Sequence, residues 1–141
     1  MKYFLLRSLA GTGLLLFGLT ATVQAAPQDR DSRWYEGRQT FYHGEGWRMH
    51  MFQRVQEDLD HVQTSDFRGG DQYRIAHTKE QLSDLQSKLA AHQYDQPELD
   101  EAIAGLQRVV ADNRLTPRDR DILNDDLNRM RDYREHHADW R

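Results

Sequence analysis

Asp95-Gln96-Pro97-Glu98-Leu99 and Leu115-Thr116-Pro117-Arg118-Asp119-Arg120 are the stretches whose reading decides the fold. In the first, Asp95 and Glu98 form a capping box, with a proline in the first turn. Leu99, Ile103, Leu106 and Val110 then step by 4, 3 and 4 residues, one apolar stripe along a helix over 96–111. Asp112-Asn113-Arg114 closes it. In the second, Thr116 is the N-cap, Pro117 takes the first helical position, and Asp119 lies three residues after the cap. The stripe Leu123, Leu127 and Met130, flanked by Ile122 and Tyr133, carries that helix over 117–136. Asp125–Arg129 and Arg131–Glu135 add i,i+4 pairs in the favourable order. Residues 138–141 are expected to fray.

Working back toward the N-terminus, Phe52, Val55, Leu59 and Val62 step by 3, 4 and 3, which predicts a helix over 47–63. Thr64 to Gly70 ends it. Asp71 reads as the N-cap of a helix over 72–91, striped by Ile75, Thr78, Leu82, Leu85 and Leu89. No run alternates with period 2, so no sheet is expected. The fold class is all-α: four antiparallel helices, each about 23–31 Å long at 1.5 Å per residue, joined by short loops. The arrangement is an up-down bundle or a pair of open, dimerising helical hairpins. Only 19 of residues 26–141 are Leu, Ile, Val or Phe. That thin supply favours the open, homodimeric form. Residues 26–46 hold Pro27, Gly37, Gly44 and Gly46 without helical or strand period, and read as a flexible arm.

The N-terminus reads as an export signal. Lys2 and Arg7 lead, Leu9 to Leu19 form the apolar stretch, and Val23 and Ala25 are the small residues before a cleavage point after Ala25. No cysteine follows, so a lipid anchor is excluded. The expected location is the periplasm or the exterior, without stable membrane insertion after cleavage. Residues 26–141 carry 17 basic against 23 acidic residues, a net charge of −6. Phosphate backbones need a basic surface, so nucleic acid is not an expected partner.

Few patterns carry chemistry. No nucleophile elbow or phosphate loop occurs, and Gly69-Gly70 follows a helix where a phosphate loop follows a strand. The expectation is therefore no enzyme and no cofactor. Seven histidines invite a metal reading. Asp58 with His61 and His77 with Glu80 have the i,i+3 spacing that puts two ligands on one helix face. A full Glu-x-x-His carboxylate pattern on two helices is absent. For protein binding the candidates are Trp34, Tyr35 and Trp47 of the aromatic arm, and Phe52, Leu59, Leu82 and Leu85, stripe residues that an open bundle would leave exposed. Aromatic side chains are rich in binding energy at interfaces.

Leu115-Thr116-Pro117-Arg118-Asp119-Arg120 also resembles the Leu-Thr-x-x-Gln signature of the Spy/CpxP-like family of periplasmic proteins, with Asp119 where that family has Gln. The resemblance implies an all-helical, dimeric, ATP-independent chaperone or envelope-stress modulator. The leading expectation is an exported, non-enzymatic helical protein that binds other proteins. The alternatives are a histidine-using metal sensor or buffer and a cell-wall-associated structural protein.

Overall fold

The computed structural model describes residues 27–65, 71–112 and 114–140. The export signal and its cleavage point lie outside the described residues. Five α-helices follow one another: α1 Pro27–His43, α2 Met51–Ser65, α3 Asp71–Ala90, α4 Gln96–Val110 and α5 Pro117–His136. Two short 3-10 turns, Trp47–His50 and His137–Trp140, precede α2 and extend α5. Among the described residues there is no strand, and no helix is long and apolar enough to cross a membrane.

The chain divides inside α1 into two units, one ending at Arg38 and the other spanning Gln39–Arg141. The flexible arm expected over 26–46 is therefore corrected: most of it is helical. Its residues Gln28, Arg30, Arg33, Glu36, Arg38 and Gln39 are good helix formers. Within the first unit the rings of Trp34 and Tyr35 meet edge to face, centroids 4.9 Å apart. At the tail, His137–Trp140 continues α5 as a 3-10 turn.

In the second unit α2, α3, α4 and α5 form a ring. Each packs on its neighbour in sequence, and α5 returns to pack on α2. The pairing is antiparallel, because polar contacts descend one helix as they climb the next. Between α2 and α3, Gln56 bonds Gln86 and Asp60 pairs with Lys79. Between α3 and α4, Gln81 bonds Glu101 while Lys88 holds Glu98. Between α4 and α5, Arg134 reaches Asp100 at 2.7 Å and Arg131 reaches Gln107 at 3.4 Å.

The two helix starts form as their chemistry dictates. Asp95 accepts from the Glu98 N–H at 3.1 Å, and Thr116 Oγ1 accepts from the Asp119 N–H at 3.1 Å. The Thr116 hydroxyl also donates to Asp119 Oδ2 at 2.8 Å. Each cap satisfies a backbone donor that the first helical turn leaves unpaired.

The core is closed. Met51, Val55, Leu59, Ile75, Leu82, Leu85, Leu99, Leu106, Leu123 and Met130 are fully buried, with Ala102 beside them. Methionine and alanine thus supply what Leu, Ile, Val and Phe lack in number. Close approach supplies the rest. A Cβ on Gly105 of α4 would sit 2.8 Å from Thr78 Oγ1 and 3.0 Å from Gln81 Oε1 of α3. The missing side chain is what lets α3 and α4 touch.

A polar clasp joins the last turn of α1 to the ring. Gly46 adopts φ +79°, a left-handed turn that glycine takes without strain, and sends the chain into the 3-10 turn. Tyr42 donates to Asp126 Oδ1 of α5 at 3.2 Å. Its ring lies 3.8 Å from the Arg129 guanidinium and 5.3 Å from the Trp47 ring. On α2, Arg54 Nε meets the fully buried Asp58 at 2.9 Å, and its guanidinium lies 5.7 Å from the Phe41 ring.

Candidate functional site

The closed core corrects most of the protein-binding candidates. Leu59, Leu82 and Leu85 are fully buried and Phe52 is nearly so. All four belong to one continuous core; Leu59, Leu82 and Leu85 hold the ring together and face no groove, while Phe52 also lines the cleft described below. Trp47 is half-buried between Tyr42, Arg129 and the core, where it serves as packing. Trp34 and Tyr35 are half-buried on α1, in the other unit.

The metal candidates do not gather either. Asp58 is turned inward to Arg54, away from use as an open ligand. His61 is half-buried on α2. His77 stacks on Tyr73, centroids 6.1 Å apart, and stands 3.8 Å from Glu80 on an exposed face. Among the described residues no three His, Cys, Asp or Glu side chains come close enough to hold a metal ion.

A different constellation assembles at one end of the ring. The start of α2, the end of α3, the α3–α4 turn and the end of α5 enclose a cleft of about 720 Å³. That is within the size range of small-ligand sites. Its apolar walls come from Phe52, Leu89, Tyr94 and Tyr133, and Met49 stands at its rim, 79% exposed. Its polar walls come from Arg48, His50, His92, His137 and Gln86. No carboxylate lines it among the described residues, although the chain as a whole carries a net charge of −4.

The aromatic wall is ordered by ring geometry. Phe52 meets Tyr133 edge to face at 5.2 Å, and Tyr94 stacks flat on the His137 imidazole at 3.8 Å with an interplanar angle of 11°. Tyr94 Oη and His137 Nδ1 are both buried, and neither has a hydrogen-bond partner among the described residues. Burial pushes the Tyr94 phenol up from its usual range, with Asp100 adding to the shift and Arg134 opposing it. The phenol therefore remains an O–H donor at neutral pH.

The turn that brings Tyr94 and His92 to the cleft is built tightly. The Gln93 N–H donates to the Lys88 carbonyl and the His92 N–H to the Leu89 carbonyl, both at 2.9 Å. This double closure of a helix end places one residue in the left-handed region, where glycine is usual. Here that residue is His92, at φ +59°. A residue with a Cβ costs roughly 1–2 kcal/mol there. Lys88 secures the other side of the turn, gripping Glu98 and meeting Asp95 Oδ2 at 2.7 Å. That hydrogen bond is the main reason the Asp95 carboxyl lies below its usual value, and the Glu98 N–H adds to it.

Of the sequence candidates only Phe52 lines this cleft; the rest of its lining was missed because those residues come from several separate elements and share no motif. One local signal was present: His92 stands where the α3 stripe ends, at a position that favours glycine. No protein-family model matches the chain, and neither the curated proteins nor the solved structures give a match.

Proposed function

We propose that this is an exported, non-enzymatic helical protein that binds another polypeptide in the cell envelope, and that the aromatic and cationic cleft is where the partner docks. One observation carries the reading. A closed, largely polar ring of helices keeps at one end a cleft walled by Phe, Tyr, Leu and Arg, with an exposed methionine at its rim. Of these, the aromatics, the arginine and the methionine are types enriched at the centres of protein interfaces. The likeness of Leu115 to Arg120 to the envelope-chaperone signature agrees with the location, as does the export signal. The cleft favours a dedicated partner over a general holdase, because the inter-helix stripes are occupied by the core.

The test is a photo-crosslinking residue placed at position 49 and, separately, at position 73, in the exporting cell. Tyr73 is 75% exposed and lies at the opposite end of α3 from the cleft, about 24 Å from Leu89 at 1.5 Å per residue. A discrete protein adduct at 49 that is absent at 73, and lost with Arg48→Glu, is the expected result. Absence of an adduct at 49, or equal adducts at both positions, refutes the reading.

A further inference from the structure

We infer that Met49 is an oxidation site that switches the cleft: a peroxide converts its thioether to the sulfoxide, which makes an apolar rim polar and weakens the hold of the cleft on an apolar group, while the fold stays intact. The chemistry stands on the chain alone, and its consequence for a partner rests on the reading of the cleft as the partner site.

The target is set by composition and burial. The chain contains no cysteine, so it offers a peroxide no thiol, and methionine becomes the side chain most open to such an oxidant. Four methionines are present, at positions 1, 49, 51 and 130. Met1 precedes the expected cleavage point. Met51 and Met130 are fully buried in the core, whereas Met49 is 79% exposed. Oxidation follows exposure. The backbone builds the contrast over two residues. Met49 lies in the 3-10 turn Trp47–His50, its N–H donating to the Gly46 carbonyl at 3.2 Å, and Met51 opens α2. Met51 is therefore an internal control: the same stretch of chain in the same solution, without access.

The consequence is set by place. Met49 stands at the rim of a cleft whose apolar walls are Phe52, Leu89, Tyr94 and Tyr133. In the reaction the sulfur lone pair takes one peroxide oxygen. The S–O bond forms as the O–O bond breaks, sulfur loses two electrons, and the second oxygen leaves as water with both protons. The product is a polar, chiral side chain where a flexible apolar one stood. Covering a sulfoxide with an apolar group costs free energy unless a donor meets it, a cost the thioether does not carry. Because Met49 lies outside the core, that cost falls on binding and not on folding. The change is reversible. Sulfoxide reductases, one for each epimer, restore the thioether as a dithiol becomes a disulfide and the oxygen leaves as water.

The experiment uses the protein purified after export, with hydrogen peroxide as oxidant and the neutral apolar dye N-phenyl-1-naphthylamine as the cleft probe. Peptide mass spectrometry follows the gain of one oxygen. Met49 is expected to react about tenfold faster than Met51 or Met130, with the thermal midpoint unchanged. Dye affinity is expected to fall about threefold on oxidation and to return on treatment with both reductases. Met49→Leu keeps an apolar rim without a sulfur, and is expected to bind dye as the untreated parent does, before and after peroxide. Equal oxidation of Met49 and Met51 overturns the assignment of the site. A fall in the thermal midpoint on oxidation overturns it too, because the lesion would then be structural. Selective oxidation with unchanged dye affinity, an equal fall in Met49→Leu, or no dye binding before treatment overturns the switch. The crosslink at position 49 replaces Met49 and uses no oxidant, so it decides the partner reading separately: its failure leaves the oxidation site standing, and failure of the site leaves the crosslink untouched.

Discussion

Gly105→Ala tests whether the contact between α3 and α4 is as close as it stands. Alanine in a helix interior is favoured over glycine by about 1 kcal/mol, so an uncrowded site would be stabilised. Here the new Cβ would meet Thr78 Oγ1 at 2.8 Å, Gln81 Oε1 at 3.0 Å and Thr78 Cγ2 at 3.4 Å. The Gln81 end can swing aside. Thr78 cannot: it is buried, branched at Cβ, and its hydroxyl already donates to the Arg74 carbonyl at 2.8 Å. The two helices must therefore separate slightly, and overpacking of this kind costs about 1–3 kcal/mol. Set against the propensity gain, the expected net effect is a loss of about 1 kcal/mol. Removing the obstacle should reverse the sign. In a Thr78→Ala background, Gly105→Ala should be neutral or stabilising, giving a coupling of about 1–2 kcal/mol in a double-mutant cycle. Urea unfolding of the four variants measures it, with unchanged slopes showing that the same surface is exposed. If Gly105→Ala stabilises the parent, or acts equally in both backgrounds, the close approach is not real.

Asp58→Ala should cost about 2–3 kcal/mol in urea unfolding, less than the ~3–5 of a fully orphaned buried charge, because Arg54 keeps Glu57 at 3.2 Å. Replacing the pair together, Arg54→Met with Asp58→Leu, should recover most of that loss. The Lys88 turn should show its own pH signature. The Asp95 carboxyl lies below its ordinary value of 3.8, so its contribution is present above that pH and is lost as pH falls through the folded value. The Lys88 ammonium is raised above its ordinary 10.5, so its contribution is present below that pH and is lost as pH rises through the folded value. The stability deficit of Lys88→Met should therefore be flat between about pH 5 and 9 and shrink below about pH 4, as followed by thermal midpoints.

The parts of the fold that were legible were those written in local chemistry. The starts of α4 and α5 follow from Asp95, Pro97, Thr116 and Pro117, whose side chains act within one turn of where they stand. The ring itself follows from four stripes and short loops. The helix α1 was hidden because periodicity reports a buried face, and the spread of polar and aromatic residues over 27–43 marks no such face. Its signal was propensity, which is weak and is obscured by Gly37 and Gly44. The candidate site failed for a different reason. Leu82 and Leu85 were assigned to binding because Leu, Ile, Val and Phe were counted as the whole core, whereas Met51, Met130 and Ala102 complete it and Gly105 draws the helices together. The cleft that does exist depends on which ends of four elements meet, and tertiary register of that kind is not carried by any one segment.

The ring has a kinetic consequence. The α2–α3, α3–α4 and α4–α5 contacts all join helices adjacent along the chain, and the α2–α5 contact closes the circuit between elements remote in sequence. Pairings between sequence neighbours need only short loops to close, which is why helical bundles fold in microseconds to milliseconds. The α2–α5 seam has the longest loop to close and forms after the hairpins. The clasp of Tyr42 of α1 on Asp126 and Arg129 of α5 joins elements still farther apart in sequence, so it is expected to close after the hairpins as well. Substitutions at these late-closing contacts are expected to raise the unfolding rate more than they lower the folding rate, which stopped-flow folding and unfolding rates would show.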